Sequence, residues 1–206
     1  MIKELLEKSP NEFASLIKNQ LFYGGKYACL ANAAMEADKD GMWMEFGVFS
    51  GETLSILTDY NNLVYGFDSW EGLPEIWNED NPKGMFNVNG VIPFSPNEKM
   101  VLVKGWFDET LPNFINNTPI TKISLLHLDA DLYSSTKCVF DNLKPYFKDK
   151  CVIVFDEFFG YHNWEDHEYK AFKEFVSEMQ DKIDSIEILS YSAPGYHPVS
   201  FQLNFK

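Results

Sequence analysis

The sequence predicts an α/β fold built on a mostly parallel sheet of seven strands. Short apolar segments that suit buried strands alternate along the chain with segments whose apolar residues recur at helical spacing. Such alternation is typical of strand–helix–strand units with parallel strands. The last two apolar segments have no helix between them, which predicts a closing antiparallel pair. A length of 206 residues with 45% hydrophobic content predicts a single domain over residues 1–206.

A helical extension is predicted before the first strand, over residues 1–40. Ser9 followed by Pro10 suits the start of a helix, with Ser9 as the N-cap. The alanine-rich segment 26–38 also has helical spacing. These helices either cover the protein's own sheet or pack against a second subunit, which would make the protein a homo-oligomer.

The remaining elements follow in alternation. The predicted strands are residues 42–46, 63–67, 100–103, 123–128, 152–155, 186–190 and 200–205. The predicted helices among them are residues 52–59, 109–116, 131–147 and 164–179. Pro198 lies just before the last strand, where its missing N–H disturbs no ladder. The inventory is that of a Rossmann-like α/β sandwich.

A long segment without a regular pattern, residues 71–99, interrupts the alternation. It is rich in Pro, Asn and Gly, and the aromatic residues in or beside it are Trp70, Trp77, Phe86 and Phe94. A loop of this length in a compact domain is usually functional. We predict a lid that closes over substrate. The alternative is a flexible surface excursion.

The charge balance argues against a nucleic-acid partner. The chain carries 17 basic and 31 acidic residues, for a formal net charge of −14, and all the basic residues are lysine. Nucleic-acid binding depends on neutralising phosphates with basic side chains. We therefore expect no nucleic acid among the partners.

Neither a membrane span nor a disulfide framework is expected. No segment approaches the ~18 consecutive apolar residues of a spanning helix. Cys29, Cys138 and Cys151 lack metal-ligand spacing, and an odd count suits free thiols that serve as packing residues. We expect a soluble, cytoplasmic protein.

Two apolar segments, 124–128 and 151–155, end abruptly in acidic residues. These residues are Asp129, Asp131, Asp156 and Glu157. The carboxyl ends of neighbouring parallel strands meet at one edge of a sheet, so these carboxylates are expected to converge. They would repel one another unless some stay protonated or a cation lies between them. A divalent-metal site at Asp129, Asp156 and Glu157 is our first hypothesis.

Asp131 and the nearby histidines leave alternatives open. Asp131 is either a catalytic group or the cap of the helix that starts near Leu132. His127 lies inside an apolar strand, where a core histidine is more typical than a catalyst. His162 and His167 make a zinc site conceivable, but magnesium with oxygen ligands explains the acidic cluster more simply.

A glycine-containing turn follows the first strand. Gly47 and Gly51 permit close backbone approach, and the following helix offers free amides. Phe49 stands where a dinucleotide fingerprint needs its middle glycine, which weakens an NAD interpretation. Asp68 ends the next strand, where an acid can accept hydrogen bonds from ribose hydroxyls. The combination indicates an adenosine ligand; the alternative is that Asp68 only caps the turn.

Two further positions near this turn have alternative roles. Glu45, at the tip of the first strand, either receives an ammonium group, which suits an amino-acid tail, or is structural. After the third strand, Trp106 or Phe107 can border an adenine. Asp108 belongs either to that border or to the N-cap of the following helix.

Several motifs together resemble the macrocin and mycinamicin O-methyltransferases. They are E-x-G-V-F-x-G at 45–51, F-D-S-W-E-G-L-P at 67–74, G-W-F-D-E-T-L-P at 105–112, H-L-D-A-D-L-Y-S-S-T at 127–136 and Asp156-Glu157. The resemblance spans residues 24–175. It implies a class I methyltransferase fold and an enzyme that uses S-adenosylmethionine and magnesium to methylate sugar hydroxyls.

The resemblance also implies roles for individual residues. It implies contacts with the methionine moiety at Glu45, Gly47 and Ser50 and a ribose contact at Asp68. Our full cofactor-binding set also contains Gly51, Thr53, Ser69, Trp106, Phe107 and Asp129. The metal ligands are Asp129, Asp156 and Glu157, and Glu157 departs from the aspartate or asparagine common in related enzymes. Apart from the resemblance, Asp129 or Asp131 is our candidate base. Tyr161 and Trp164, which follow the acid pair closely in sequence, are expected to shape the acceptor pocket.

The expected activity is magnesium-assisted methylation of a hydroxyl on a small, sugar-like acceptor. The protein must align the acceptor oxygen with the methyl group and help to remove its proton. A catechol-type O-methyltransferase is one alternative, but the lysine that such enzymes place three residues after the first aspartate is Leu132 here. A non-catalytic module that binds an adenosyl group or a metal is another.

Overall fold

The computed structural model describes residues 1–193 and 197–206 and contains one eight-stranded sheet. The strand order is β1-β7-β8-β6-β5-β2-β3-β4. The strands are β1 (Phe22–Tyr23), β2 (Met42–Phe46), β3 (Val64–Asp68), β4 (Met100–Lys104), β5 (Ile123–Leu128), β6 (Lys150–Phe159), β7 (Ile183–Ser192) and β8 (His197–Phe205).

The sheet is parallel except at its C-terminal strands. β6, β5, β2, β3 and β4 pair in parallel, whereas β8 is antiparallel to both β6 and β7. The seven predicted strands and their closing antiparallel pair are therefore confirmed. The additional strand, β1, has only two residues, too few to show a pattern in the sequence.

Helices cover both faces of the sheet. They are α1 (Ile2–Glu7), α2 (Pro10–Ile17), α3 (Lys26–Glu36), α4 (Glu52–Tyr60), α5 (Phe107–Asn117), α6 (Tyr133–Leu143) and α7 (Glu168–Met179). Residues of α1, α2, α5, α6 and α7 share one buried cluster, and residues of α3 and α4 share another. Residues 151–155 of β6 alternate between the two clusters, as a strand buried on both faces requires.

The N-terminal helices pack onto the protein itself. Ser9 caps α2 in a reciprocal capping box with Glu12, which confirms the predicted helix start. Leu5, Phe13 and Ile17 are fully buried in the main core. The extension thus covers its own sheet, and a homo-oligomer through these helices stays a prediction.

The structure shifts three predicted boundaries near the acidic cluster. β6 continues to Phe159, so Asp156 and Glu157 lie within the strand, where its pairing with β8 becomes irregular. The helix predicted from residue 131 begins at Tyr133, because Asp131 has a left-handed φ of 59°. The helix predicted from Trp164 starts with a separate 3-10 turn, and α7 begins only at Glu168.

No helix in the described part of the chain is both long enough and apolar enough to cross a bilayer.

Candidate active site

A cavity of about 760 Å³ opens at the carboxyl ends of the parallel strands. Parallel α/β sheets form their ligand crevice at this edge. Its wall includes predicted site residues from five strands, β2 to β6, namely Gly47, Asp68, Ser69, Trp106, Phe107, Asp129, Asp131 and Glu157. Residues from the predicted lid complete it, namely Gly72, Leu73, Pro74, Trp77, Asn81, Lys83 and Phe86.

The turn after β2 needs glycine for two reasons. Gly47 has a φ of +93°, and a Cβ there would lie 1.7 Å from the carbonyl oxygen of Asp129. Gly51 has a φ of +78°, and a Cβ would lie 2.7 Å from the ring of Phe94. Positive φ is costly for residues with a side chain. The turn therefore packs tightly against both the end of β5 and the predicted lid.

Asp68 holds this turn in place. One of its oxygens, Oδ2, accepts hydrogen bonds from the backbone N–H groups of Val48 and Phe49, both at 2.8 Å. The other oxygen accepts the N–H of Trp70 at 2.7 Å. A carboxylate has about four acceptor positions, so about one remains. Asp68 thus caps the turn and also lines the cavity.

Glu45 is fully buried and takes part in a hydrogen-bonded network. Its carboxylate lies 2.9 Å from Nδ1 of His127 and accepts the hydroxyl of Thr53 at 3.2 Å. Burial raises the pKa of Glu45 above its ordinary value, although His127 and Thr53 oppose that shift. Glu45 and Thr53 are not among the residues that line the cavity. The hydrogen bond between Glu45 and His127 could not be predicted from the sequence, because the two residues are 82 positions apart.

The loop after β4 brings Trp106 and Phe107 to the cavity wall. Trp106 occupies the N-cap position of α5, so Asp108 is not the N-cap. Asp108 instead lies in the first turn of the helix and lines the cavity.

The acidic cluster forms as the strand ends predict. Carboxylate oxygens of Asp129, Asp156 and Glu157 all lie within 4.8 Å of one another. Asp129 is fixed by its backbone N–H, which donates to the carbonyl of Phe46 at 2.9 Å and so connects the ends of β5 and β2.

Asp131 belongs to the same cluster. Its carboxyl group interacts with that of Glu157, and it lines the cavity while being only 7% exposed. The N-cap of α6 is Leu132, so the capping role left open for Asp131 is not found. Asp131 is therefore available to act within the cavity.

The acids in this cluster are harder to ionise than ordinary carboxyls. Loss of hydration, followed by the charge of Asp156, raises the pKa of both Asp129 and Glu157. The same two causes raise the pKa of Asp131 to about 7. Close carboxylates in a region of low dielectric favour a bound cation.

A divalent cation fits this donor set. The three grouped ligands all supply oxygen, which magnesium and calcium prefer. In addition, the Oε2 atom of Glu157 is buried without a hydrogen-bond partner among the described residues. A cation would satisfy that atom and relieve the repulsion among the acids.

Two charged residues at the acidic cluster were not predicted from the sequence. Lys26, at the start of α3, donates to Oδ2 of Asp156 at 2.9 Å. Glu168, at the start of α7, is fully buried and accepts the N–H of Ala130 at 3.5 Å. Both lie far along the chain from their partners, and no local pattern connects them to the site.

The predicted acceptor residues lie behind or away from the cavity wall. Tyr161 packs edgewise against Trp77, with ring centroids 5.4 Å apart, and Trp77 lines the cavity. Trp164 packs against Phe159 and Tyr169 in the core. The structure therefore brings Tyr161 close to the cavity wall, but not Trp164.

The remaining residues considered for the site do not line the cavity either. Ser50 is exposed beside the turn, and Gly51 contacts Phe94 rather than the cavity. His162 is exposed, and His167 packs near Trp77 with ring centroids 6.5 Å apart. Among the described residues, neither histidine belongs to a group that could hold a metal ion.

Solved structures identify the class of fold. The fold matches that of CalS11, a calicheamicin methyltransferase, with a TM-score of 0.62 and 23% identity, covering 98% of this chain and 89% of the other. It also matches the O-methyltransferase from Bacillus cereus in complex with SAH, with a TM-score of 0.55 and 12% identity, covering 98% and 90%. The protein has the Rossmann-like α/β fold of methyltransferases.

The family follows from the sequence match. A family model described as a methyltransferase domain matches residues 44–158, more than half of the chain. The chain belongs to this methyltransferase family.

Sequence similarity to a characterised relative is lower and partial. The 8-demethyl-8-(2,3-dimethoxy-alpha-L-rhamnosyl)-tetracenomycin-C 4'-O-methyltransferase of Streptomyces olivaceus is 26% identical over 136 residues, covering 57% of this chain and 51% of the relative. The chain spans about half the length of the curated relatives it matches.

Proposed function

We propose that the protein is an S-adenosylmethionine-dependent, magnesium-assisted O-methyltransferase that acts on a hydroxyl of a sugar-like acceptor. The observation that carries this proposal is the oxygen-ligand cluster of Asp129, Asp156 and Glu157 on the same cavity as the glycine turn. A methyl donor and an activated hydroxyl must meet in one enclosed space, and this cavity offers a place for each.

The residues around the glycine turn bind the cofactor. Gly47 lets the backbone approach the methionine moiety closely, since it has no side chain to fill that space. Asp68 accepts a ribose hydroxyl at its remaining acceptor position, and Ser69 adjoins it on the cavity wall. Trp106 and Phe107 border the adenine.

Glu45 influences the cofactor from a buried position behind the cavity lining. Because His127 and Thr53 already occupy both of its oxygens, its contact with the methionine ammonium group is indirect or uses a remaining lone pair. Its negative charge also favours a cation in the methionine pocket.

Asp129, Asp156 and Glu157 hold the magnesium ion. When bound, the ion supplies Lewis-acid activation, which lowers the pKa of an acceptor hydroxyl and fixes its orientation. The three side chains come from two adjacent strands, β5 and β6, so the sheet itself sets their separation.

Asp131 receives the proton of the acceptor hydroxyl. It reaches the cavity from the same turn as Asp129, beside Glu157. Asp129 is the second candidate base. A base at this position assists methyl transfer because a neutral hydroxyl is a poor nucleophile.

The acceptor lies between the acidic cluster and the lid segment. Leu73, Trp77 and Phe86 provide apolar surface there. The printed names of the relatives support a sugar-like acceptor, since one is a methyltransferase that acts on a rhamnosyl-bearing compound. The motifs shared with the macrocin and mycinamicin O-methyltransferases support the same substrate class.

A methyl-transfer assay tests the acceptor class. Labelled S-adenosylmethionine and magnesium are incubated with the protein and with three acceptor sets: glycosides, nucleotide-linked sugars and catechols. The proposal predicts labelled methyl ethers of sugar hydroxyls and their loss on chelation. Methylation of catechols alone would support the catechol-type alternative instead.

A further inference from the structure

Lys26 places a positive charge inside the acidic cluster. Its ammonium nitrogen lies 2.9 Å from Oδ2 of Asp156, and its side chain is 42% exposed whereas that of Asp156 is 6% exposed. Lys26 also lines the cavity. Burial alone lowers its pKa, but the charges of Asp156, Asp129 and Glu157 outweigh that effect and raise it above the ordinary value.

This lysine comes from outside the matched family domain. The family match covers residues 44–158, and Lys26 belongs to the helical segment before it. It follows directly after Gly24 and Gly25, where a Cβ would meet no atom within 4 Å. Lys26 thus reaches the cluster from the start of α3, a helix outside the matched segment.

The ammonium group and a divalent cation need the same carboxylates. The residues whose charges act on Lys26 are the same three that could hold a metal ion. Two cations this close repel each other, and a divalent ion with several direct oxygen ligands binds more strongly than a single ammonium contact.

We propose that Lys26 is the counter-ion of the acidic cluster in the metal-free protein and that divalent metal binding displaces its ammonium group from Asp156. This inference rests on the metal site of the proposed function. Lys26 thereby sets the affinity of the site for metal and keeps the carboxylates together before the metal arrives. Metal loading in turn releases a lysine side chain toward the acceptor cavity.

Calorimetric titration of Mg²⁺ into the protein, with and without S-adenosylhomocysteine, tests this competition. We expect K26M to bind Mg²⁺ about tenfold more tightly than the unsubstituted protein, which corresponds to about 1.4 kcal/mol. K26R keeps the cation and should stay near the unsubstituted affinity. An equal or weaker affinity in K26M would overturn the proposal.

Lys83→Met is the matched control. Lys83 also lines the cavity and is exposed, but among the described residues no ion pair joins it to the acidic cluster as one joins Lys26. Because solvent screens an exposed charge, K83M should change the Mg²⁺ affinity by no more than about twofold. An effect of K83M as large as that of K26M would show that net charge alone is responsible, and would overturn a specific role for Lys26.

Nuclear magnetic resonance of the lysine ammonium group tests displacement directly. The ¹⁵Nζ signal of Lys26, assigned by its absence in K26M, should lose the signature of its carboxylate contact when Mg²⁺ is added. A signal that stays unchanged at saturating Mg²⁺ would mean that the ion pair persists, which contradicts displacement.

The outcomes separate this inference from the proposed function. Failure to bind S-adenosylhomocysteine would contradict the methyltransferase proposal. The metal titrations would still test the competition between Lys26 and the metal. Metal binding to K26M alone would contradict displacement of Lys26 by metal, and also magnesium assistance in the unsubstituted protein. Failure of both proteins to bind Mg²⁺ would overturn the inference itself.

Discussion

Asp131, a member of the acidic cluster, adopts a left-handed backbone conformation with a φ of 59°. Such conformations are uncommon for residues with a side chain, and aspartate and asparagine tolerate them best. Held this way, the carboxyl group reaches both Glu157 and the cavity. Asparagine can keep this backbone geometry and removes only the ability to accept a proton as a carboxylate.

Asp131→Asn should therefore lower kcat by about 10²- to 10⁴-fold, the usual contribution of a positioned base. Affinities for S-adenosylhomocysteine and Mg²⁺ should stay within a few-fold of their original values by calorimetry. Asp108→Asn, at a cavity-lining acid outside the group of metal ligands, is the control and should leave kcat largely intact. A similar kcat for D131N and the unsubstituted protein would instead point to Asp129 as the base.

Glu168 connects the two strand ends that carry the metal ligands. Its Oε1 atom accepts the N–H of Ala130, and its carboxylate also accepts a backbone hydrogen bond from Glu157. Residues that orient metal ligands without touching the metal still affect its affinity by about 10- to 100-fold. Burial raises the pKa of Glu168 well above its ordinary value.

Glu168→Gln should weaken Mg²⁺ binding by about tenfold while S-adenosylhomocysteine binding changes little. Both affinities can be measured by calorimetry. Glu165→Gln changes an exposed acid three residues earlier and serves as the control. Unchanged Mg²⁺ affinity in E168Q would show that Glu168 has no part in positioning the ligands.

At this scale, sequence patterns find residues that end strands and miss residues that arrive by tertiary packing. Asp129, Asp156 and Glu157 were predictable because parallel strand ends meet at one edge. Lys26 and Glu168 were not, because each begins a helix far along the chain from the cluster. Trp164 was expected at the acceptor pocket from its nearness in sequence to Glu157, but packing directs it into the core.

Among the elements, the segment between β3 and β4 is more ordered than its composition suggests. The backbone of Leu73 exchanges hydrogen bonds with Met85 and Gly84, each at 2.9 Å. Gly72 is required there, since a Cβ would lie 2.3 Å from the carbonyl oxygen of Met85. These internal contacts present Trp77 to the cavity, which supports a lid function over a flexible excursion.

Trp77→Ala should raise the KM for the acceptor by about tenfold, equivalent to about 1.4 kcal/mol, through loss of apolar contact. The affinity for S-adenosylhomocysteine should be nearly unchanged, because the cofactor residues lie on the strand turns. Ile76→Ala is the control, since Ile76 is 68% exposed and adjacent in sequence. A fall in cofactor affinity without a change in KM would contradict the proposed role of the lid segment.

Strand and helix positions were largely predictable, because buried parallel strands have distinctive apolar segments. The extension of β6 to Phe159 was not, since a strand that contains Asp156 and Glu157 breaks the apolar pattern. Its pairing with β8 is irregular between Phe155 and Phe159, the stretch that contains both acids, and that pairing depends on a strand about 40 residues further along the chain.

Across the whole molecule, the clustered acids make stability depend on pH. Asp131 has an ordinary pKa near 3.8 when exposed and a raised pKa of about 7 in the fold. Between these two pH values the folded state therefore binds more protons than the unfolded state. The stability that protonated Asp131 contributes is lost as the pH rises from about 3.8 to about 7. Bound metal should counteract this loss.

We therefore compare the melting temperatures of D131N and the unsubstituted protein in the absence of metal. The difference, D131N minus unsubstituted, should increase by about 5 °C as the pH is raised from about 4 to about 7. Asparagine cannot ionise, so the variant escapes the repulsion that develops in the unsubstituted protein. Thermal unfolding in chelator across this range measures the difference. A difference that stays constant with pH would show that Asp131 ionises normally in the fold.

The central claim is that a metal site adjoins a cofactor pocket in one cavity, and sequential calorimetry tests it most directly. S-adenosylhomocysteine is titrated first and Mg²⁺ second, into the unsubstituted protein and into Asp156→Asn. The account predicts cofactor binding in both proteins and Mg²⁺ binding that is lost in D156N. Absence of cofactor binding, or equal Mg²⁺ binding in the two proteins, would contradict it.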